Sequence, residues 1–128
     1  MADELILIIE DNEKNRKLAR DVLQVKGYTT IESETAEEGL RLASEKSPDL
    51  ILMDIQLPGM DGITALKRLR ADSKTKNIPV IAITASAMTH NRQTMLAEGF
   101  DGYQTKPITL KDFLEEVRRV LDLKDRKG

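Results

Sequence analysis

Three short stretches of the chain are almost wholly apolar: Leu5-Ile6-Leu7-Ile8-Ile9, Leu50-Ile51-Leu52-Met53 and Val80-Ile81-Ala82-Ile83. Each has the length of a strand and is bounded by polar residues. A strand without polar alternation is buried on both faces, which calls for a parallel sheet covered by helices on each side. Two further segments, Thr29-Thr30-Ile31-Glu32 and Gly102-Tyr103-Gln104-Thr105, are more polar and are expected at the edges of that sheet.

Helical spacing follows each strand. Leu18, Val22 and Val25 mark a first helix ending at Gly27. Thr35 with Glu38 three residues on has the form of a capping box, and Ala36, Leu40 and Ala43 line the inner face of the second helix. Ile63, Leu66 and Leu69 mark the third. The fourth is expected from about Met88 to Glu98, with Gly99 as its C-cap. Leu110, Phe113, Leu114, Val117, Val120 and Leu121 form one stripe of the fifth, with Thr109 as N-cap.

This (βα)5 alternation predicts an α/β fold, a sandwich of three layers around a parallel five-stranded sheet. With the three apolar strands central and right-handed crossovers, strand order 2-1-3-4-5 fits. Residues 1–128 make a single domain, with a core over about 4–122 and a frayed charged tail, Lys124-Asp125-Arg126-Lys127-Gly128.

Composition narrows the function classes. Lys plus Arg is 20 and Asp plus Glu is 22, for a net charge of −2, which argues against a general nucleic-acid binder. The only aromatics, Tyr28, Phe100, Tyr103 and Phe113, offer no base-stacking platform. The absence of cysteine excludes disulfides, zinc-thiolate sites and thiol nucleophiles. The longest apolar run, Leu5 to Ile9, is too short for a membrane span or a signal peptide, so the cytoplasm is the expected compartment.

Open α/β sheets place their sites beyond the carboxyl ends of the strands. Glu10 and Asp11 follow the first strand, Asp54 the third, Thr84 the fourth and Lys106 with Pro107 the fifth. The fold therefore gathers three carboxylates, a hydroxyl and an ammonium at one sheet edge. The carboxylates repel, should titrate as a coupled set, and call for a positive charge beyond that of Lys106. Oxygen ligands favour Mg²⁺, with Mn²⁺ as the alternative. A carboxylate beside such a cation can attack phosphorus and form an aspartyl phosphate.

The motifs IIEDN at 8–12, LILMDIQLPGMDG at 50–62, AITASAM at 82–88 and GYQTKPI at 102–108 resemble the receiver domain of two-component response regulators, and the resemblance spans essentially the whole chain. It implies a flavodoxin-like, CheY-like fold. It implies Asp54 as phosphoacceptor, with Glu10, Asp11, Asp54 and the Gln56 backbone carbonyl around the metal. Asp11 would bind directly and Glu10 largely through water. It further implies that Thr84, the Ala85 backbone N–H and Lys106 hold the phosphoryl group. Thr84 and Tyr103 would be the switch pair, and the Lys106–Pro107 peptide bond would be cis. The family often has Asp where Glu10 stands.

Function then follows as an expectation. A histidine kinase or histidine phosphotransfer protein donates a phosphoryl group, and the face of helix four, strand five and helix five signals to a downstream protein. Neither nucleic acid nor membrane is a direct partner, and the chain is expected to be a monomer or a weak phosphorylation-dependent dimer. The motifs resemble both stand-alone receivers of the DivK type and receivers of hybrid kinases, and Met1 with the short tail favours the former. Two rivals are a Mg²⁺-dependent phosphatase with an Asp nucleophile, which wants a second Asp where Gln56 stands, and a phosphate-independent interaction module. His90, the sole histidine, is expected to be exposed and without a role; Met88 and Met95 are expected to pack, and Pro58, Gly59 and Gly62 to shape the loop after Asp54.

Overall fold

The apolar runs become strands β1 (Leu5–Ile9), β3 (Leu50–Asp54) and β4 (Val80–Thr84), and the polar ones β2 (Thr29–Ser33) and β5 (Gly102–Thr105). Helices α1 (Glu13–Val25), α2 (Ala36–Lys46), α3 (Gly62–Ala71), α4 (Arg92–Glu98) and α5 (Leu110–Lys127) alternate with them. The structure, a computed structural model, describes residues 3–127, with side chains as far as Leu123. The backbone of α5 continues through Lys127, beyond the end marked by its apolar stripe. The side chains of the expected charged tail, and Gly128, lie outside the described residues.

All four strand pairings are parallel, and the order is β2-β1-β3-β4-β5. Every residue of β3 and β4 is buried, whereas the edge strands β2 and β5 keep partly exposed positions. The pleat divides the core in two. Ile6, Ile8, Leu50, Leu52, Ile81 and Ile83 pack with Ala19 and Leu23 of α1 and Phe113, Val117 and Val120 of α5. Leu7, Ile9, Ile51, Met53, Val80 and Ala82 meet α2, α3 and α4 through Ala36, Ala43, Leu66, Leu69 and Met95. Full burial of each large side chain contributes roughly 1.5–3 kcal/mol, enough to pin strand register, since a slip by one residue would exchange the two faces.

Local expectations fail where packing or capping overrides the pattern. The inner face of α1 is Ala19 and Leu23 with Val22 beside them, while Leu18 and Val25 are exposed. Helix α4 starts at Arg92, not near Met88, because the Asn91 carboxamide oxygen accepts the Thr94 N–H at 2.8 Å. Residues 87–89 form a separate turn, closed by the His90 N–H on the Ser86 carbonyl at 2.8 Å. Met88, expected to pack, is 96% exposed; Met95 does pack. The Thr35–Glu38 box forms only by half. Thr35 Oγ1 accepts the Glu38 N–H, but the Glu38 carboxylate turns to Arg41, and the Thr35 N–H goes to Ser33 Oγ. Gly99 caps α4 in the left-handed conformation, and the first α5 bond runs from the Phe113 N–H to the Thr109 carbonyl.

Candidate functional site

Register sets which groups meet. Ile9 pairs with Met53, Asp54 with Ile83 and Thr84 with Thr105, so Glu10, Asp54, Thr84 and Lys106 come to one level at the carboxyl edge. The loop after Asp54 is held by two glycines. Gly59 has φ +78°, and a Cβ on Gly62 would lie 2.8 Å from the Asp54 carbonyl oxygen and 2.9 Å from Ile55 Cα. Only glycine at 62 lets α3 start against the strand that carries Asp54.

The acidic groups are brought together. Among the described residues, Glu10, Asp11 and Asp54 each offer an oxygen atom lying within 4.8 Å of the others. Asp54 is 2% exposed; its Oδ1 accepts the Gln56 N–H at 2.9 Å and its Oδ2 accepts from Lys106 Nζ at 2.7 Å. Lys106 Nζ also lies 2.8 Å from Glu10 Oε1, so one ammonium bridges two buried carboxylates. The Asn12 N–H donates to Glu10 Oε2 at 3.0 Å. Asp11 is exposed at the mouth of the cluster. Hard oxygen donors crowded beyond what one ammonium neutralises suit a small divalent cation. The Gln56 contact to Asp54 is made by its N–H, while Ala85 is exposed just past the end of β4. The Lys106–Pro107 peptide bond is cis.

Burial, opposed by Lys106 and the Asn12 N–H and reinforced by Asp54, pushes the Glu10 carboxyl up to about 7. Burial pulls the Lys106 ammonium down, but Asp54 and Glu10 outweigh it and hold its proton more tightly than usual. Because the folded pKa of Glu10 lies above its unfolded value, its contribution to stability is full below pH 4.5 and is lost as pH rises through about 7. Metal-free protein is therefore expected to lose about 1–3 kcal/mol relative to Glu10→Gln between pH 4.5 and 8. Denaturant melts of the two proteins across that range check this; a constant difference would refute it.

Thr84 is fully buried, and its Oγ1 accepts the Ser86 N–H at 3.0 Å. Tyr103 is buried as well; its hydroxyl donates to the His90 carbonyl at 2.7 Å, and the Arg92 guanidinium stands 5.5 Å from its ring centre. Its N–H donates to Glu116 Oε2 at 2.7 Å, tying β5 to α5.

Two contributors escaped sequence reasoning. Arg16 Nη1 donates to the Glu10 carbonyl at 2.9 Å while its Nε pairs with Glu32, clamping the end of β1 to β2. His90, expected to be exposed, is only partly so, and its Nδ1 lies 3.5 Å from Thr84 Oγ1. No periodicity signals either residue, because Arg16 reaches from α1 to the end of β1 and His90 sits beside the turn after β4.

A doubly wound fold with an acidic cluster, a buried hydroxyl and an ammonium at its carboxyl edge defines a phospho-accepting signalling domain. Residues 6–118 match the response regulator receiver domain, and the chain belongs to that family. It is 44% identical over 116 residues to the polar-differentiation response regulator DivK of Brucella ovis, and equally to that of Brucella anthropi, covering 91% of this chain and 94% of each relative. Among solved structures it resembles a CheY-like receiver domain protein from Methanospirillum hungatei, at TM-score 0.89 and 29% identity over 99% of this chain and 100% of that one. It also resembles the receiver domain of a sensor histidine kinase from Pseudomonas aeruginosa, at TM-score 0.86 and 30% identity over 94% of this chain and 99% of that one. That structure carries a magnesium ion coordinated in its active-site cleft. The chain is a DivK-like signalling switch rather than a catalytic enzyme, which sets aside the phosphatase reading. A receiver domain implies a histidine kinase as partner. No helix among the described residues is long and apolar enough to cross a membrane.

Proposed function

We propose that Asp54 accepts a phosphoryl group from a histidine kinase or phosphotransfer protein and that Thr84 and Tyr103 convert its arrival into a change of the α4-β5-α5 face. The observation that carries this is the bridging of buried Asp54 and Glu10 by Lys106, beside Asp11, at the carboxyl edge. Asp11 and Asp54, the Gln56 carbonyl, and Glu10 through water would hold Mg²⁺, or Mn²⁺ in its place. When bound, the ion supplies positive charge to the phosphoryl oxygens, the main requirement of phosphoryl transfer.

A carboxylate oxygen of Asp54 forms the new bond to phosphorus as the bond to the donor's histidine nitrogen breaks. Lys106, already 2.7 Å from Asp54, and the Ala85 N–H hold the transferred oxygens. The Thr84 hydroxyl turns toward them, and Tyr103, packed against Arg92 and bonded to α5 through Glu116, follows. The change is a population shift, limited by how differently the two states hold the phosphoryl group. The protein works in the cytoplasm, as a monomer or a weak phosphorylation-dependent dimer, and passes the signal to a further protein.

Thr84→Ala separates acceptance from signalling. The variant is expected to take up phosphate while the amide shifts of the α4-β5-α5 face fall by about half or more, since the lost hydroxyl removes one charge-assisted hydrogen bond. Equal shifts in variant and wild type would overturn the switch assignment.

A further inference from the structure

Given Asp54 as phosphoacceptor and Thr84 with Tyr103 as the switch, we propose that His90 is the positioning residue of that pair. Its imidazole holds the Thr84 hydroxyl in the unmodified protein, in competition with a phosphoryl oxygen, while its carbonyl holds the Tyr103 hydroxyl.

The Thr84 hydroxyl has one hydrogen and two lone pairs. The Ser86 N–H, 3.0 Å away, takes one lone pair. The hydrogen remains, on a side chain that is fully buried, and His90 Nδ1 faces it at 3.5 Å. With the imidazole proton on Nε2, Nδ1 is the acceptor. At this length the bond is weak, which suits a group that must be released. A phosphoryl oxygen on Asp54 is charged and a stronger acceptor, so it wins the same hydrogen.

The other half of the device is the main chain of the same residue. The His90 N–H closes the turn on the Ser86 carbonyl at 2.8 Å, which folds residue 90 back over the end of β4. Its carbonyl then receives the Tyr103 hydroxyl at 2.7 Å. His90 is thus in contact with both switch residues at once, through ring and backbone. Loss of the ring contact frees the turn that holds Tyr103, so motion of Thr84 reaches β5 through residue 90. Asn91, the cap of α4, comes next in the chain and carries the same motion into that helix.

The test is a beryllofluoride titration with Mg²⁺, followed by NMR, on wild type, His90→Ala, His90→Asn, Thr84→Ala and the double variant His90→Ala with Thr84→Ala. His90→Ala is expected to bind the analogue about threefold more tightly than wild type, the gain from releasing one weak hydrogen bond. Adding His90→Ala to Thr84→Ala is expected to change nothing, because no hydroxyl is left to hold. His90→Asn, whose carboxamide oxygen can take the same hydrogen, returns affinity toward wild type. The His90 Nδ1 signal of wild type moves on binding. An equal effect of His90→Ala in the presence and absence of the Thr84 hydroxyl, or an unmoved Nδ1 signal, would overturn the proposal. Beryllofluoride binding that survives Asp54→Asn instead overturns the assignment of Asp54, and this inference with it.

Discussion

Asp54→Asn is expected to abolish covalent phosphoryl acceptance while leaving the fold intact. The carboxamide keeps the shape of the side chain and an oxygen for the Gln56 N–H, which now bonds Oδ1 at 2.9 Å. It removes the anionic nucleophile, and an amide oxygen is too poor a nucleophile to form the acyl phosphate. Lys106 retains Glu10 as a partner at 2.8 Å, so no buried ammonium is stranded. Intact mass after incubation with acetyl phosphate and Mg²⁺ checks it: one added phosphoryl group on wild type, none on the variant. An adduct on both would place the acceptor elsewhere. If hydrolysis outruns the mass measurement and neither shows one, beryllofluoride binding decides between them.

Lys106→Met should show the largest change in stability. The ammonium bridges two carboxylates whose side chains are 7% and 3% exposed, and is itself 17% exposed. Removing one partner of a buried ion pair costs about 3–5 kcal/mol, because the remaining charge loses its compensation. Here two like charges would also face each other. At pH 8 without metal the full loss is expected. At pH 5 it should shrink, since Glu10, already pushed up to about 7, then carries a proton and no longer needs the ammonium. Mg²⁺ should restore much of the loss at pH 8 by supplying the missing charge. Urea melts at the two pH values, with chelator and with Mg²⁺, test all three statements. A loss independent of both pH and metal would mean that Lys106 contributes packing rather than charge.

These two variants probe opposite demands on one place. Phosphoryl chemistry needs an ionised carboxylate with a positive neighbour; folding disfavours burying two carboxylates together. The bridge by Lys106 meets both demands in the metal-free protein.

Much of this was legible along the chain. Uniform apolarity of Leu50–Met53 and Val80–Ile83 marks strands buried on both faces, and the polar content of Thr29–Glu32 and Gly102–Thr105 marks the edges. Strand order 2-1-3-4-5 fits those central strands once right-handed crossovers and the doubly wound pattern are added. The phase of α1 was not legible, because Leu18 and Val25 have the right chemistry and the wrong direction; the helix instead buries Ala19 and Leu23 against the sheet. The start of α4 was not legible either, because a separate turn, closed by the His90 N–H on the Ser86 carbonyl, comes between β4 and the Asn91 cap.

The order of apolar and polar residues by itself determined the sheet and its layers, and so which side chains end on one edge: Glu10, Asp11, Asp54, Thr84 and Lys106. Periodicity and burial are properties each segment carries alone, through the exclusion of apolar surface from water. Tertiary structure decided everything that needs a distance between segments: that Lys106 reaches both Glu10 and Asp54, that burial lifts Glu10 rather than leaving it an ordinary carboxylate, and that His90 stands between Thr84 and Tyr103. Electrostatic and hydrogen-bond terms change steeply over an ångström, and pairing at that scale exists only after strand register and loop closure have set it.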